Sequence, residues 1–259
     1  MGRALPFEVH RPMDLWKYFA ITHERHVFCN PFSAEKFAEL SELYDLPPGA
    51  RVLDIACGKA EFLTRIVQRW QCDGVGVDLS PPFVEDARAR VADAGLDDRI
   101  EIVLANGNEY DPAPGSFAVA QCIGASWIWE GVSGTLKALA DFVPSGGLVV
   151  LGEPFWRTEP SPEHLAAGGY SRTQFASHEE NCRAGSEAGL VLLHAIASNE
   201  DDWDRYEGLQ WLSAERYARL HADEEGVPAL LERVHSERDQ YLRWGRQELG
   251  WAVYLFSKS

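Results

Sequence analysis

Val52-Leu53-Asp54-Ile55-Ala56-Cys57-Gly58-Lys59-Ala60-Glu61-Phe62 reads as an apolar strand, a turn of small residues and the start of a helix. Small side chains in such a turn let a ligand approach the backbone, and the helix start offers free N–H groups to a carboxylate or phosphate. The next apolar run, Gly74-Val75-Gly76-Val77-Asp78-Leu79-Ser80, ends on an acid placed to accept both hydroxyls of a ribose. Together these features fit a nucleoside-type cofactor on a doubly wound sheet. A dinucleotide fingerprint requires GxGxxG; here Gly58 stands alone between Ala56 and Ala60, which disfavours the close approach of a pyrophosphate. An NAD-dependent oxidoreductase is the lesser alternative, since Asp78 suits any ribose.

Working outward, short apolar runs alternate with amphipathic stretches from Arg51 to Leu151, the pattern of repeated βα units. The runs are Val52–Ala56, Gly74–Val77, Ile100–Leu104, Phe117–Ile123 and Leu148–Leu151. Phe62, Leu63, Ile66, Val67 and Trp70 recur at helical spacing between the first two, and Phe83, Val84, Ala87 and Val91 between the next two. Helices on both faces of a parallel sheet are expected. Ser33–Tyr44 reads as a helix capped by Ser33, with Lys36 and Glu39 outward, ended by Leu46-Pro47-Pro48-Gly49. After the core, Glu153–Gly169 reads as a Pro- and Gly-rich loop, Thr173–Gly189 as a helix and Leu190–Ala197 as a strand. Asn199–Gly250 is mostly helical in pattern, with Val227, Leu230, Leu231, Val234, Tyr241 and Leu242 on one face. It is too long for a plain connection. Trp251–Phe256 reads as a last strand, so the helical stretch is an insertion in the same domain. The division is one domain over 1–259: an N-terminal helical lid segment (1–49), a core (50–198), a helical cap insertion (199–249) and the final strand (250–259).

The chain has 259 residues, 46% of them apolar, and 24 Lys plus Arg against 40 Asp plus Glu leave a net charge of −16. That balance repels phosphate polymers and the anionic face of a membrane, so neither nucleic acid nor membrane is an expected partner. Met1–Pro12 lacks the apolar stretch of a secretory signal, and no later run is long enough to span a bilayer. Five scattered cysteines, Cys29, Cys57, Cys72, Cys122 and Cys182, without a CxxC pair, read as reduced thiols, and the expected location is cytoplasmic. His23, His26 and Cys29 fall at i, i+3 and i+6, but no fourth ligand is evident and Asn30-Pro31 breaks a helix nearby, so no metal is assigned.

Asp54-Ile55-Ala56-Cys57-Gly58-Lys59-Ala60 resembles the first motif of the class I S-adenosylmethionine-dependent methyltransferases, a strand ending in Asp followed by GCGxG. In register with it follow Asp78, then Asn106-Gly107-Asn108, then Val143-Pro144-Ser145-Gly146-Gly147. The resemblance covers nearly the whole chain and is closest to a little-characterised bacterial branch of small-molecule methyltransferases. That branch also carries Asn30-Pro31-Phe32, Gly124-Ala125-Ser126-Trp127, Gly152-Glu153-Pro154-Phe155-Trp156 and Trp203-Asp204-Arg205-Tyr206-Glu207. The resemblance implies a Rossmann-like α/β fold with a seven-stranded, mostly parallel sheet in the order 3-2-1-4-5-7-6, helices on both faces, and the insertion before an antiparallel last strand. It implies S-adenosylmethionine as cofactor and S-adenosylhomocysteine as product. Asp54 and the Ala56, Cys57, Gly58 turn would lie beside the methionine end and Asp78 on the ribose. Leu79, Asn106, Gly107 and Asn108 would flank adenine, and Cys122 and Ile123 would line the cleft. Ala56 and Ala60 replace glycines of the family motif, an Asn stands where the family often has an Asp that contacts adenine, and Ala118 replaces the usual strand-four Asp. Weakened rather than abolished cofactor binding is expected.

Methyl transfer from a sulfonium is an in-line displacement that needs a nucleophile held at near-attack distance and water excluded. The insertion and the N-terminal segment are the natural lid. Trp127, Trp156, Trp203 and Tyr206 are candidate substrate contacts among aromatics that also suit a core, as are Trp129 and Trp211. Glu153, at the catalytic end of a strand, could hold a cationic amine or accept a proton, and His26 is the candidate base, with His178 on similar ground. The expected activity is methyl transfer to an N or O nucleophile of a small molecule with a basic or hydroxylated aromatic group. A protein that senses the cofactor without transferring methyl is the alternative from another class.

Overall fold

Alternating apolar positions build one sheet in the computed structural model, which describes residues 14–259. Residues 1–13, and with them the Met1–Pro12 stretch, lie outside the described residues. The strands are β1 (Arg51–Ile55), β2 (Asp73–Asp78), β3 (Ile100–Leu104), β4 (Val119–Ile123), β5 (Leu148–Trp156), β6 (Leu190–Ala197) and β7 (Leu249–Lys258). Their spatial order is β3-β2-β1-β4-β5-β7-β6, with β7 antiparallel to both its neighbours, which is the order the resemblance implies.

Period-two side-chain alternation sends successive strand residues to opposite faces. Val52, Val119, Val150 and Val253 pack under α2 (Ala34–Glu42) and α3 (Glu61–Trp70) through Phe37, Leu40, Leu63 and Ile66. Leu53, Ile55, Val77, Ala120, Val149 and Leu151 face the other way, onto Leu136 and Leu139 of α5 (Val132–Phe142). Each such fully covered side chain contributes roughly 1.5–3 kcal/mol relative to exposure. Ser33 caps α2 by accepting from the Lys36 N–H at 3.3 Å, as its position before the apolar spacing predicts. Lys36 itself does not point away: its Nζ lies 2.5 Å from the buried carboxylate of Asp202 and bonds the Ala197 carbonyl, tying α2 to the base of the insertion.

Four further expectations are corrected. The fifth strand runs past Leu151 to Trp156, because Glu153–Trp156 pair with Leu249–Ala252. Pro154 is tolerated there because β4 has already ended opposite Gly152, leaving that edge without a ladder to break. The expected loop also contains α6 (Pro162–Gly168), and the helix expected from Thr173 starts later, as α7 (His178–Glu187), where Ser177 and Glu180 form a capping box. In the insertion, α8 (Glu200–Leu220) and α9 (Val227–Gln240) are followed by a π-helical segment, Tyr241–Gly245. The extra residue of that turn rotates the face, so Tyr241 is buried while Leu242 is 57% exposed.

The insertion is joined by α1 (Leu15–Thr22), and the two share a separate small core of Tyr18, Ile21, Ala214, Leu230 and Val234. α1 also touches α4 (Pro81–Asp93), which follows the end of β2, while α9 touches α6, which follows the end of β5. The three cap helices thus span the carboxyl ends of the central strands. Among the described residues no helix is long and apolar enough to cross a membrane. Leu230, 1% exposed, is the keystone of the cap core. Leu230→Ala is expected to destabilise the protein by about 2–4 kcal/mol, read as a lowered urea midpoint.

Candidate active site

The turn between β1 and α3 is built on three left-handed residues, Ala56 (φ 60°), Gly58 (φ 55°) and Ala60 (φ 54°). Glycine adopts this conformation freely, whereas each alanine costs about 1–2 kcal/mol. That strain is retained at the two positions where the family motif has glycine. No side chain caps α3, so its first N–H groups are open at the turn.

Asp78 closes the turn from the end of β2. Its Oδ2 accepts from the Gly58 N–H and its Oδ1 from the Ser80 N–H, both at 2.8 Å. Burial raises its pKa, and the Ser80 and Gly58 N–H groups pull the other way. Each oxygen still has a second lone pair to offer. Beside it Leu79 is 38% exposed, an apolar surface at the crevice. Across the crevice Asn106 is half-buried, Asn108 exposed, and Gly107 lies so close to β1 that a Cβ there would sit 2.5 Å from Ile55 Cγ2.

Asp54 is buried on β1, and burial pushes its carboxyl up to about 7 against the pull of the Gln121 amide. Tyr44, after α2, donates to Gln121 Oε1 at 2.7 Å, which leaves Gln121 Nε2 to face Asp54 with no closer partner. Tyr44 and Gln121 were not among the candidates read from sequence. A glutamine in the middle of an apolar strand was the available signal. Cys122 is fully covered in the core beneath the crevice, and Ile123 nearly so.

The Asn30-Pro31-Phe32 segment crosses the ends of β1 and β4. Cys29 Sγ lies 3.7 Å from where a Gly58 Cβ would stand, and a Cβ on Gly124 (φ 93°) would collide with Asn30 Oδ1. Trp127, in the single turn after β4, is 45% exposed. Trp156 is instead packed at the end of β5, its Nε1–H donating to the Arg172 carbonyl at 3.0 Å and its ring against His164 and Phe175. Trp203 is buried and stacked on Tyr241. Glu153 lies inside β5 rather than beyond it, 8% exposed, and burial pushes it up to about 7 against a hydrogen bond from Ser126.

α1 ends at Thr22, so His23, His26 and Cys29 do not share a helical face. Among the described residues no group of three or more His, Cys, Asp or Glu is gathered as a metal site. His26 donates from Nε2 to the Tyr206 carbonyl at 2.9 Å, its Nδ1 is buried without a hydrogen-bond partner among the described residues, and burial lowers its pKa. His23 Nε2 meets the Tyr206 hydroxyl at 3.0 Å. His178 bonds the Tyr254 hydroxyl at 3.0 Å, away from Tyr206. Glu207, beside Tyr206 on α8, is pushed up to about 8 by burial and by the charge of Glu237. A groove of about 900 Å³ lies on the outer flank of α3 and α4, but its charges are spent on each other, Lys59 on Asp86 and Arg90 on Glu61.

Residues 52–147 match the methyltransferase domain family. The chain is similar to a SAM-dependent methyltransferase from Geobacter sulfurreducens solved with S-adenosyl-L-homocysteine, at 30% identity and a TM-score of 0.88 over 94% of this chain and 98% of that one. It is similar also to a SAM-dependent methyltransferase from Thiobacillus denitrificans solved with the same compound, at 32% identity and a TM-score of 0.88 over 95% of this chain and all of that one. The uncharacterized protein YjhP of Escherichia coli is 29% identical over 244 residues, 93% of this chain and 98% of its own.

Two outcomes are expected of the site residues. Gly124→Ala, with φ 93° and Asn30 in the way, is expected to cost about 1–3 kcal/mol, read by denaturant unfolding. Asp54, Glu153 and Glu207 hold their protons more tightly folded than unfolded, so the stability they contribute at lower pH is lost as pH rises through about 7 to 8. His23 and His26, whose pKa values are lowered, act in the opposite sense only below their ordinary value of 6.5. The melting temperature of the ligand-free protein is therefore expected to fall between about pH 6.5 and about pH 8.5, and less steeply in Glu153→Gln. A rising profile would contradict the burial of these carboxyls.

Proposed function

Because the chain belongs to the class I S-adenosylmethionine-dependent methyltransferases, we propose that it transfers a methyl group to a nitrogen or oxygen of a small molecule enclosed beneath the cap. The observation that carries this reading is Asp78, which ties the ends of β1 and β2 together through the Gly58 and Ser80 N–H groups and keeps one lone pair on each oxygen. Those lone pairs match the two hydroxyls of a ribose.

The surrounding residues fit the rest of an adenosyl sulfonium. Leu79 offers an apolar face to adenine, and Asn106 and Asn108 flank Gly107, whose place against Ile55 leaves no room for a side chain. Ala56, Cys57 and Gly58 form a low wall beside Asp54, whose carboxyl faces the methionine end. Ile123 and Cys122 support the floor at β4. When bound, S-adenosylmethionine supplies an electrophilic methyl: the acceptor's lone pair forms the new bond as the C–S bond breaks, and its electron pair stays on sulfur in S-adenosylhomocysteine.

The chain's own residues then have to orient the acceptor, exclude water and take one proton. α1 and the 199–249 insertion act as one lid over the 50–198 core. Tyr206 borders the enclosed space and Trp127 its open side, while Trp203 and Trp156, both packed in the core, support its edge. His26, the base in this reading, is held with its proton on Nε2 by the Tyr206 carbonyl, which leaves the lone pair on Nδ1. Glu153, buried and without an ion pair among the described residues, is the second acceptor for a proton or a cationic amine.

Calorimetric titration with S-adenosylmethionine, S-adenosylhomocysteine and NAD tests this reading. Binding of the first two is expected, weakened in Asp78→Asn by roughly 1.5–3 kcal/mol, about tenfold or more, since the amide replaces one acceptor oxygen by a donor. Equal binding of NAD, or an affinity indifferent to Asp78→Asn, would overturn it. Transfer of labelled methyl across a panel of amines, phenols and alcohols then separates an enzyme from a cofactor sensor.

A further inference from the structure

The underside of the cap carries a chain of hydrogen bonds that fixes what Tyr206 can offer. The Thr22 hydroxyl donates to the Tyr18 carbonyl at 3.0 Å, so in its 3.0 Å bond with His23 Nδ1 it accepts. His23 therefore carries its proton on Nδ1 and a lone pair on Nε2, and that lone pair takes the hydroxyl proton of Tyr206 at 3.0 Å. Burial and the neighbouring His26 keep His23 neutral, its pKa down at about 3. With its own proton committed, the Tyr206 oxygen can only accept from a ligand.

Glu207 adds a carboxyl on the same stretch of α8. Among the described residues no Lys or Arg pairs with it, and only the indole N–H of Trp211 is turned towards it, itself without a partner at hydrogen-bond distance. Glu237, facing it from α9, is by contrast engaged: Arg233 Nε lies 2.9 Å from Oε1 and the Tyr18 hydroxyl bonds Oε2. Tyr170, from the loop after α6, feels both carboxyls. Tyr170, Tyr206 and Glu207 are each half-buried and retain solvent-accessible surface, which marks a recess rather than a filled core. The recess adjoins the nucleoside crevice: the Tyr206 ring is 5.7 Å from His23, whose own ring is 6.0 Å from Phe83, in the first turn of α4 just beyond Asp78.

We infer that this recess receives a protonated amine of the substrate, its N–H groups shared between the Glu207 carboxylate and the Tyr206 hydroxyl oxygen. The inference rests on the methyltransferase reading above and narrows its substrate class. An alkylammonium has three donors and no acceptor, the complement of this wall, and the ring of Tyr206 adds a face on which a cation is attracted. A substrate carboxylate would meet Glu237 with like charge and oppose the ionisation of Glu207. A neutral hydroxyl brings no charge to stabilise the Glu207 carboxylate, which then keeps its proton.

The test uses protein loaded with S-adenosylhomocysteine and three probes of similar shape, 2-phenylethylamine, 2-phenylethanol and phenylacetate, titrated by calorimetry in two buffers of different ionisation enthalpy near neutral pH. The amine is expected to bind and to release a proton, because Glu207 holds its proton until a cation arrives. Around it Tyr18, Tyr170 and Tyr206 are raised and His23 and His26 lowered, away from this range, and Glu237 faces it already bonded to Arg233. Glu207→Gln is expected to weaken the amine at least about tenfold and abolish the proton release, with S-adenosylhomocysteine affinity unchanged and the melting temperature not lowered. Alcohol or carboxylate binding as tightly as the amine, no amine binding to the loaded protein, or an amine isotherm indifferent to Glu207→Gln would each overturn the inference. Failure of S-adenosylhomocysteine itself to bind would instead remove the reading it rests on.

Discussion

One carboxylate holds the crevice together. Asp78 receives the Gly58 N–H with one oxygen and the Ser80 N–H with the other, so the turn after β1 and the turn after β2 are fixed against a single side chain. The arrangement is costly in isolation, since burial raises Asp78 and Ala56 and Ala60 stand in left-handed backbone. It persists because the strands beneath are over-determined by their packing: Val52, Leu53, Ile55 and Val77 are all fully covered. The strain sits where a ligand would approach the backbone, and the stability that tolerates it comes from the sheet.

The cap depends on that frame in turn. Its small core of Tyr18, Ile21, Leu230 and Val234 joins α1 to the insertion, and polar ties fix both to the strand ends. Lys36 on Asp202, Ser198 on the Pro31 carbonyl, and His23 and His26 on Tyr206 are such ties. Apolar packing joins them, since Trp203 and Tyr241 of the insertion share the main core with Phe32, Ile196 and Trp251, while the polar ties fix the orientation of the lid.

Buried carboxyls are unevenly compensated across the molecule. Asp202 has Lys36 and Glu237 has Arg233, whereas among the described residues Asp54, Glu153 and Glu207 have no cation beside them and lie near the crevice or under the cap. An uncompensated buried acid lowers stability and is found where a partner is supplied from outside. The net charge of −16 has the same sense for the molecule as a whole.

The strands, their alternation, the Ser33 cap and the crevice-forming turn were legible in the sequence, because each is a local matter of side-chain period, small residues and capping groups within a few positions. The sheet order followed from the spacing of Asp54, Asp78 and the later motifs through a resemblance. The continuation of β5 to Trp156 was not legible, since Pro154 reads as a strand breaker until β4 is seen to end beside it. Nor was the exposure of Leu242, which a single extra residue in a π-turn decides. The contacts that define the pocket's chemistry, Tyr44 on Gln121 and Tyr206 on His23, join residues 77 and 183 positions apart. Local sequence determined which elements form and where a ligand could approach them. Only tertiary structure decided which polar groups meet, because hydrogen bonds of a few ångströms depend on how distant helices settle against one another, and no local periodicity records that.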